Sequence, residues 1–221
     1  MNDLSFVIRS RNEERWIGHA IQSVIDFCGE MTEIIIVDND SKDQTLEVVN
    51  LFPKRYTNIK VLSISQKDYT PGKALNVGIA NTSKSCKTVG LLSSHCRITE
   101  FDKELIDKKL YDENYFAIFG KQLPIYRGKR SRMRYVWSNF DVSNAVVNPI
   151  ELIPEKRCFF HNAFSFIRKD IWEKESFDED LAGKEDRYWA EKLVLKNMSF
   201  LLDPNLKCEH YWTEKGATWK D

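Results

Sequence analysis

Short apolar runs alternate with amphipathic segments through the first half of the chain. The run "EIIIVD" at 33–38 is continuous and β-branched, which is typical of a parallel strand buried on both faces. From Trp16 to Ile25 apolar residues recur at helical spacing, and Gly29 offers a C-terminal cap. The alternation predicts strands at 4–9, 33–38, 59–64 and 88–92, with helices from 16 to Gly29, at about 44–51 and at 73–80.

Strands that alternate with helices through short loops predict a parallel sheet with right-handed crossovers. The ligand crevice of such a sheet lies at the carboxyl ends of its strands. After residue 100 the alternation loosens, and we expect the second half to extend the same sheet. Its predicted elements are a helix near 104–110, a strand at 115–122, an apolar segment at 163–172, a helix within 183–196, and a last strand at 199–203 that is followed by "CEHYW" at 208–212.

Bulk composition narrows the class of protein. The 221 residues carry no net charge, so no overall field draws the chain to nucleic acid. Five scattered cysteines without a C-x-x-C pair indicate reduced thiols in the cytoplasm rather than disulfides or a thiolate zinc site. No apolar run suits a signal peptide or a membrane span, and we expect a soluble protein that is at most peripheral on the membrane.

Polar residues collect where the first two predicted strands end. Arg9, Arg11 and Glu13 follow the first strand, and Asp38 and Asn39 close the second. Cations there could hold a diphosphate, and a carboxylate or amide could bind a base or ribose. The alternative is turn formation and helix capping, because "DNDSKD" is a good turn before a helix.

The segment "DYTPGKALNVGIANT" gives the third crossover a similar polar entry. Lys73 lies in the first turn of the predicted helix and Asn76 about one turn later. A lysine at a helix N-terminus opposes the helix dipole, so an anion near both would be favoured. A solvated lysine with a structural asparagine is an equally good interpretation.

Four blocks together resemble glycosyltransferase family 2, the inverting, nucleotide-sugar-dependent enzymes of the GT-A fold. The blocks are "FVIRSRNEERWIGHAIQSVI", "EIIIVDNDSKDQT", "GKALNVGIANT" and "FIRKDIWEKESFDEDLAGKEDRYWAEKLV", in the family's order. The resemblance extends from Ser5 to about His210. It implies one GT-A domain over 1–221, with a nucleotide-binding half at about 1–98 and an acceptor-side half at about 99–221.

The resemblance also implies roles for individual residues. Asp38 would bind the nucleotide base, and the E-D pair would supply the general base, with Trp189 in the usual aromatic place. Nucleotide contacts fall on Arg9, Arg11, Glu13, Lys73 and Asn76, and Asn39, next to Asp38 at the strand end, is a further candidate.

The pair Glu185 and Asp186 begins a predicted helix, where any acid gains from the dipole. Simple stabilisation of the first turn is therefore the competing interpretation. Adjacent carboxylates repel each other, however, and an apolar neighbour could raise one pKa toward that of a useful base. We favour Asp186 as the base.

The segment "LLSSHCRI" departs from the family pattern. It places Ser93 and His95 where family members carry the two aspartates of D-x-D, and Ser94 lies between them. An imidazole suits Mn²⁺ better than Mg²⁺, so His95 and His210 could hold a borderline cation against the diphosphate. The metal-free alternative uses protonated His95 with Lys73 and the arginines. His161 could meet the donor sugar or cap a strand.

A basic and aromatic segment, "YRGKRSRMRYVW" at 126–137, has three interpretations. The cations from Arg127 to Arg134 could form a solvated face, or could contact a lipid-linked diphosphate acceptor at the membrane surface. Single-stranded nucleic-acid binding is disfavoured by the neutral total charge.

The resemblance thus implies transfer of a sugar from a nucleoside-diphosphate sugar to a hydroxyl of a glycan or lipid-linked acceptor, in surface polysaccharide biosynthesis. One alternative is a nucleotide-sugar-binding module that lost catalysis together with D-x-D. A nucleotidyltransferase is disfavoured, since no glycine-rich phosphate loop lies near the N-terminus.

Overall fold

The structure is a computed structural model that describes residues 3–131, 142–150 and 156–214. Strands and helices alternate as far as β4, and strands dominate afterwards. The elements in chain order are β1 (Leu4–Ser10), α1 (Ile17–Cys28), β2 (Glu33–Asp38), α2 (Thr45–Val49), β3 (Ile59–Ser63), α3 (Pro71–Ala80), β4 (Thr88–Ser93), β5 (Cys96–Glu100), α4 (Lys103–Asp107), β6 (Ala117–Tyr126), β7 (Lys129–Arg130), β8 (Val146–Val147), β9 (Phe164–Arg168), α5 (Lys169–Trp172), α6 (Glu185–Leu195) and β10 (Phe200–Tyr211).

These strands form one twisted sheet in the order β3-β2-β1-β4-β9-β6-β10-β5, with β7 paired to β6 and β8 to β10. The first four strands pair in parallel, which confirms the predicted parallel core. Two buried clusters cover its faces. Phe6 and Ile36 pack with α1 on one face, and Val7 and Ile35 pack with α3 and α6 on the other. Helices therefore lie on both faces of the sheet, as predicted.

Strands from the second half extend the sheet in mixed directions. Strand β9 runs antiparallel to β4 and to β6, β10 runs parallel to β6, and β5 runs antiparallel to β10. The predicted mixed extension is confirmed. Because β9 is antiparallel, its N-terminal end lies at the same edge of the sheet as the carboxyl end of β4.

Three element predictions require correction. The strand predicted at 199–203 is the first part of β10, which continues through an irregularity between Asp203 and Lys207 to Tyr211. There the backbone passes so close to Gly120 that an added Cβ would lie 2.7 Å from Leu206 O. The short strand β5 was not predicted. The helix predicted near 104–110 is α4 followed by a π-helical turn at Lys108–Asp112.

The basic segment at 126–137 is described only as far as residue 131. Arg127 and Gly128 form a two-residue hairpin turn between β6 and β7, both with positive φ. The rest of the predicted patch, including Arg134, lies outside the described residues. Across the described ranges no helix combines the length and the apolar character that a membrane span requires.

Candidate active site

A polar cavity of about 180 Å³ opens at the carboxyl ends of β1 and β4. Strand pairing places Arg9 beside Ser93, and the tight turn at Ser94 and His95 leads into β5. The structure brings six of the predicted site residues together here, and adds Ser10 and Tyr69. The lining residues are Arg9, Ser10, Arg11, Glu13, Tyr69, Ser93, Ser94 and His95.

A partly buried ion pair joins this cavity to α6. The Arg9 guanidinium donates to Glu185 Oε1 at 2.9 Å and, from the same nitrogen, to Pro71 O at 3.0 Å. Burial alone would lower the pKa of Arg9, but the charge of Glu185, aided by Tyr69 and Asp186, raises it overall. Arg9 is therefore a permanent cation that ties β1 to the first turns of α3 and α6.

Asp186 follows the ion-paired Glu185 and keeps a different environment. Its Oδ2 accepts from the Asn162 backbone N–H at 3.2 Å, and its Oδ1 from the Arg187 N–H at 2.9 Å. Burial raises the pKa of Asp186 above its ordinary value, although Arg187 and these two N–H groups oppose the rise. A carboxylate with a raised pKa is a better proton acceptor. Glu185 is thus held in an ion pair, whereas Asp186 has the raised pKa that suits a proton acceptor.

Asn162 is a site residue that the sequence prediction missed. Its Nδ2 donates to Glu185 Oε1 at 3.2 Å, while its backbone N–H donates to Asp186. It follows His161 and precedes β9, and its contact with Glu185 spans 23 positions of the chain. A polar residue before an antiparallel strand would have been the signal.

Two histidines meet beside the cavity. The rings of His95 and His210 lie 4.9 Å apart, centroid to centroid. His95 Nδ1 is 2.9 Å from Glu13 Oε1, and His210 Nδ1 is 2.7 Å from Gln122 Oε1. Burial, with the neighbouring His95 and His161, holds the pKa of His210 well below its ordinary value. Where an Nδ1–H donates to an oxygen, the lone pair lies on Nε2, the arrangement that outer partners give to metal-binding histidines.

The donor chemistry at this pair suits a borderline cation better than Mg²⁺. Within 3–131, 142–150 and 156–214, no group of three or more His, Cys, Asp or Glu side chains is placed to hold a metal ion. The pair of His95 and His210 therefore does not by itself make a metal site in the described part of the chain.

His161 lies near the same groups but is held neutral. Burial, together with Arg187, Arg9 and His95, lowers its pKa to about 3, and Glu185 opposes this only in part. Its Nδ1 accepts from the Ala163 N–H at 3.1 Å. The second of the two predicted roles, at the start of a strand, agrees with this contact.

Two predicted nucleotide contacts lie elsewhere. Asp38 is 1% exposed, and its carboxylate accepts from the backbone N–H and the hydroxyl of Ser41, at 3.0 and 2.5 Å. This is the turn-forming alternative. Lys73 is half-buried in the first turn of α3, where its N–H donates to Thr70 Oγ1 at 3.1 Å. Neither residue lines the cavity described above.

Asn76 is bonded on every side by protein groups. Its Nδ2 donates to Phe177 O at 2.8 Å and to Glu179 Oε1 at 2.9 Å. Its Oδ1 accepts from Trp172 Nε1 and the Phe177 N–H. The amide therefore anchors the chain that precedes α6, and the structure does not bring it to the cavity.

Two further residues of the motif blocks are structural. At Gly72 an added Cβ would lie 2.1 Å from Asp178 O, so only glycine allows this approach of the two backbones. Trp189 is 1% exposed and packs against Phe116, Phe160 and Phe177. It belongs to the aromatic core beneath α6.

The parallel sheet with its mixed extension has the arrangement of the GT-A fold. The chain belongs to glycosyl transferase family 2, whose profile matches residues 5–174. No curated protein sequence matches the chain.

Solved structures agree with this assignment of the fold. A mannosyltransferase of Pyrobaculum calidifontis, PcManGT, with GDP-Man and Mn²⁺, is similar with a TM-score of 0.70 at 14% identity, over 97% of this chain and 58% of that one. TarS of S. aureus with UDP-GlcNAc gives 0.69 at 18% identity, over 98% and 60%. GalNAc-T7 with UDP, GalNAc and Mn²⁺ gives 0.70 at 15%, over 98% and 45%. The chain thus spans three-fifths or less of these structures.

Proposed function

We propose that this chain transfers a sugar from a nucleoside-diphosphate sugar to an acceptor hydroxyl with inversion at the anomeric carbon. One observation carries the proposal: the half-buried Asp186, with its raised pKa, follows directly on the Glu185 that binds Arg9 at the cavity. A general base beside a cationic cavity can take the proton of the attacking hydroxyl, and the cations can stabilise the anion that leaves. Family 2 membership and the nucleotide-sugar complexes of similar structures support it.

In this proposal Asp186 accepts the acceptor hydroxyl's proton as its oxygen bonds to the anomeric carbon. The bond between that carbon and the diphosphate oxygen breaks in the same step, and the electron pair leaves with the diphosphate. Arg9 and Arg11 stabilise the developing negative charge, and Ser93 and Ser94 offer hydroxyl donors at the same wall.

We propose that His95 and His210 would hold a divalent cation, Mn²⁺ in preference to Mg²⁺. Such a cation supplies Lewis-acid neutralisation of the leaving diphosphate. Glu13 then orients His95 through Nδ1. The metal-independent alternative keeps the same contact but uses His95 as a cation that Glu13 stabilises.

The proposed acceptor is a glycan or lipid-linked hydroxyl in surface polysaccharide biosynthesis, on the cytoplasmic side of a membrane. Arg127, Lys129 and Arg130 are exposed beside the β6–β7 turn, which supports contact with anionic headgroups. Sedimentation with anionic but not with neutral vesicles is the expected result. Equal sedimentation with both would remove this part of the proposal.

The test begins with calorimetric titration of EDTA-treated protein with UDP, GDP, CDP and dTDP, each with and without Mn²⁺. We expect micromolar binding of at least one nucleotide, and binding only with Mn²⁺ would support the histidine site. Equal binding without metal would assign His95 to direct diphosphate contact. No binding by any nucleotide would overturn the proposed function.

Donor hydrolysis then separates an enzyme from a binding module. The sugar nucleotide of the preferred base is incubated with protein, and the anomer first released is followed by NMR. We expect inversion by the wild type and none by Asp186→Asn. Tight binding without turnover of any sugar donor would favour the non-catalytic module.

A further inference from the structure

A second cavity opens at the opposite edge of the sheet, where β4 begins and β9 ends. Its volume is about 290 Å³, compared with about 180 Å³ for the cavity of the candidate active site. Thr88, the first residue of β4, pairs with Arg168, the last residue of β9, and Arg168 lines this second cavity. Ser93, at the other end of β4, lines the candidate active site. The length of β4 therefore separates the two cavities.

Positive charge predominates in the lining of the second cavity. Its charged residues are four cations and two carboxylates, namely Lys84, Lys87, Arg168, Lys169, Asp170 and Glu173. A recess lined mainly by one sign of charge raises the local concentration of ions of the opposite sign. The excess of two positive charges matches a ligand that carries two negative charges.

The Arg168 guanidinium is fixed in the wall of this cavity. It donates from Nε to Asp170 Oδ1 at 3.0 Å, from Nη2 to Asp170 Oδ2 at 2.8 Å, and from Nη1 to Asn114 Oδ1 at 2.8 Å. The pair therefore holds the Asp170 carboxylate against Arg168. A guanidinium has five N–H donors, so these three bonds leave Arg168 with donors for a ligand.

Two lysines of the lining are joined through their backbones. The Lys169 N–H donates to Lys87 O at 2.8 Å, and the Lys87 N–H donates to Asp3 O at 2.8 Å. The half-buried Lys169 also donates from Nζ to Ser83 O at 3.1 Å, and an ammonium group has three donors in all. The backbone therefore keeps both ammonium groups at one wall of the second cavity.

We propose that the second cavity binds the phosphate group of a small phosphate monoester. This inference goes beyond the proposed sugar transfer and does not depend on it. Arginine and lysine bind phosphate through charge-assisted hydrogen bonds, and a phosphate monoester carries close to two negative charges at neutral pH. The volume lies near the lower end of the roughly 300–1,000 Å³ that is usual for small-molecule sites. Tyr111, which is 37% exposed at this cavity, offers an aromatic surface to the organic part of the ester.

Calorimetric titration at constant ionic strength tests the proposal, with glucose 6-phosphate as the probe and glucose as its uncharged control. Lys87→Glu reverses an exposed charge of the lining, and Lys54→Glu reverses an exposed charge between α2 and β3. We expect saturable binding of glucose 6-phosphate, but not of glucose, by the wild type. Loss of one charge-assisted bond should weaken binding by Lys87→Glu ~10-fold or more. Lys54→Glu should bind like the wild type.

Two further variants locate the bound anion and guard against a folding defect. Lys169→Ala should also weaken binding of glucose 6-phosphate, and Arg11→Ala, in the candidate active site, should leave it unchanged. Thermal melting checks that each variant is folded. Weaker binding by Arg11→Ala, with wild-type binding by folded Lys87→Glu and Lys169→Ala, would place the anion in the candidate active site and overturn the inference.

Vesicles distinguish a free phosphate ester from a lipid headgroup with the same chemistry. Wild type, Lys87→Glu and Lys54→Glu are sedimented with phosphatidylcholine vesicles that contain phosphatidic acid. Binding of free glucose 6-phosphate that Lys87→Glu alone weakens would assign the site to a soluble ester. Sedimentation that Lys87→Glu alone loses, without binding of the free ester, would assign the same phosphate site to a headgroup. If Lys87→Glu matches Lys54→Glu in both assays, the inference is wrong.

Discussion

Arg9 donates to Glu185 Oε1 at 2.9 Å and so joins residues that are far apart in sequence. Glu185 also accepts from Asn162, which precedes β9. The pair therefore fixes the start of α6, and with it Asp186, against the ends of β1 and β9. Its side chains are 23% and 6% exposed, so water screens it only in part.

Glu185→Gln should lower the free energy of unfolding by about 3 kcal/mol, because Arg9 would keep its charge without a partner. Urea unfolding of the two proteins measures this. Asp40→Asn is the control, since it breaks the exposed Lys42–Asp40 pair and should cost under about 1 kcal/mol. Equal stability of Glu185→Gln and wild type would show that the buried pair does not hold α6.

Asp186→Asn should remove activity without loss of stability. Loss of a general base lowers the rate about 10²–10⁴-fold. Because the folded-state pKa of Asp186 is raised, the folded protein binds this proton more tightly than the unfolded chain. The free energy of unfolding therefore falls as the pH rises from the ordinary pKa of an aspartate through the raised pKa of Asp186. At neutral pH the variant should melt no lower than the wild type.

Transfer or donor hydrolysis and thermal melting are measured together for Asp186→Asn. Asp180→Asn, which removes an exposed carboxylate ahead of α6, serves as the control and should change neither value. A folded Asp186→Asn protein with full activity would assign the base to another residue.

Asn76→Ala should destabilise the protein rather than weaken nucleotide binding directly. The substitution leaves Trp172 Nε1 and the Phe177 backbone groups without their partner. We expect a loss of about 3 kcal/mol in the free energy of unfolding. Asn81→Ala, at the exposed end of the same helix, should cost under about 1 kcal/mol. Normal stability with weaker nucleotide binding would instead place Asn76 in the nucleotide site.

The parallel half of the fold was predictable because its strands are unbroken apolar runs that stop at polar residues. The run 33–38 is buried along most of its length, as its composition requires. Strand β5 escaped prediction since it is short and alternates buried with exposed residues just after a turn. The second part of β10 escaped prediction because Pro204 and Asn205, at the bulge, resemble a turn in sequence.

A position beside the cavity was predictable where a strand end determines it, as for Arg9 and His95. It was not predictable where local bonds compete with the ligand. Ser41 takes the carboxylate of Asp38, and Phe177 takes the amide of Asn76, which lies 101 positions earlier in the chain. Whether such a hydrogen bond forms depends on which segment of backbone lies near the side chain in the folded protein. A single sequence does not show this.

The neutral His161 makes an acid-dependent contribution to stability. Its folded-state pKa of about 3 lies below the ordinary value of 6.5, with burial as the largest cause and Arg187, Arg9 and His95 adding to it. The unfolded chain therefore binds this proton first as the pH falls. Stability from His161 is complete above pH 6.5 and declines toward pH 3, by on the order of 2 kcal/mol at pH 5.

His161→Gln should therefore flatten the fall in stability between pH 6.5 and 5, because glutamine carries no titrating group. Urea unfolding at a series of pH values compares the slopes of the two proteins. His19→Gln, at an exposed position of α1, should keep the wild-type slope. If His161→Gln loses stability with the wild-type slope over this range, the acid sensitivity belongs to other groups and His161 is protonated in the folded protein.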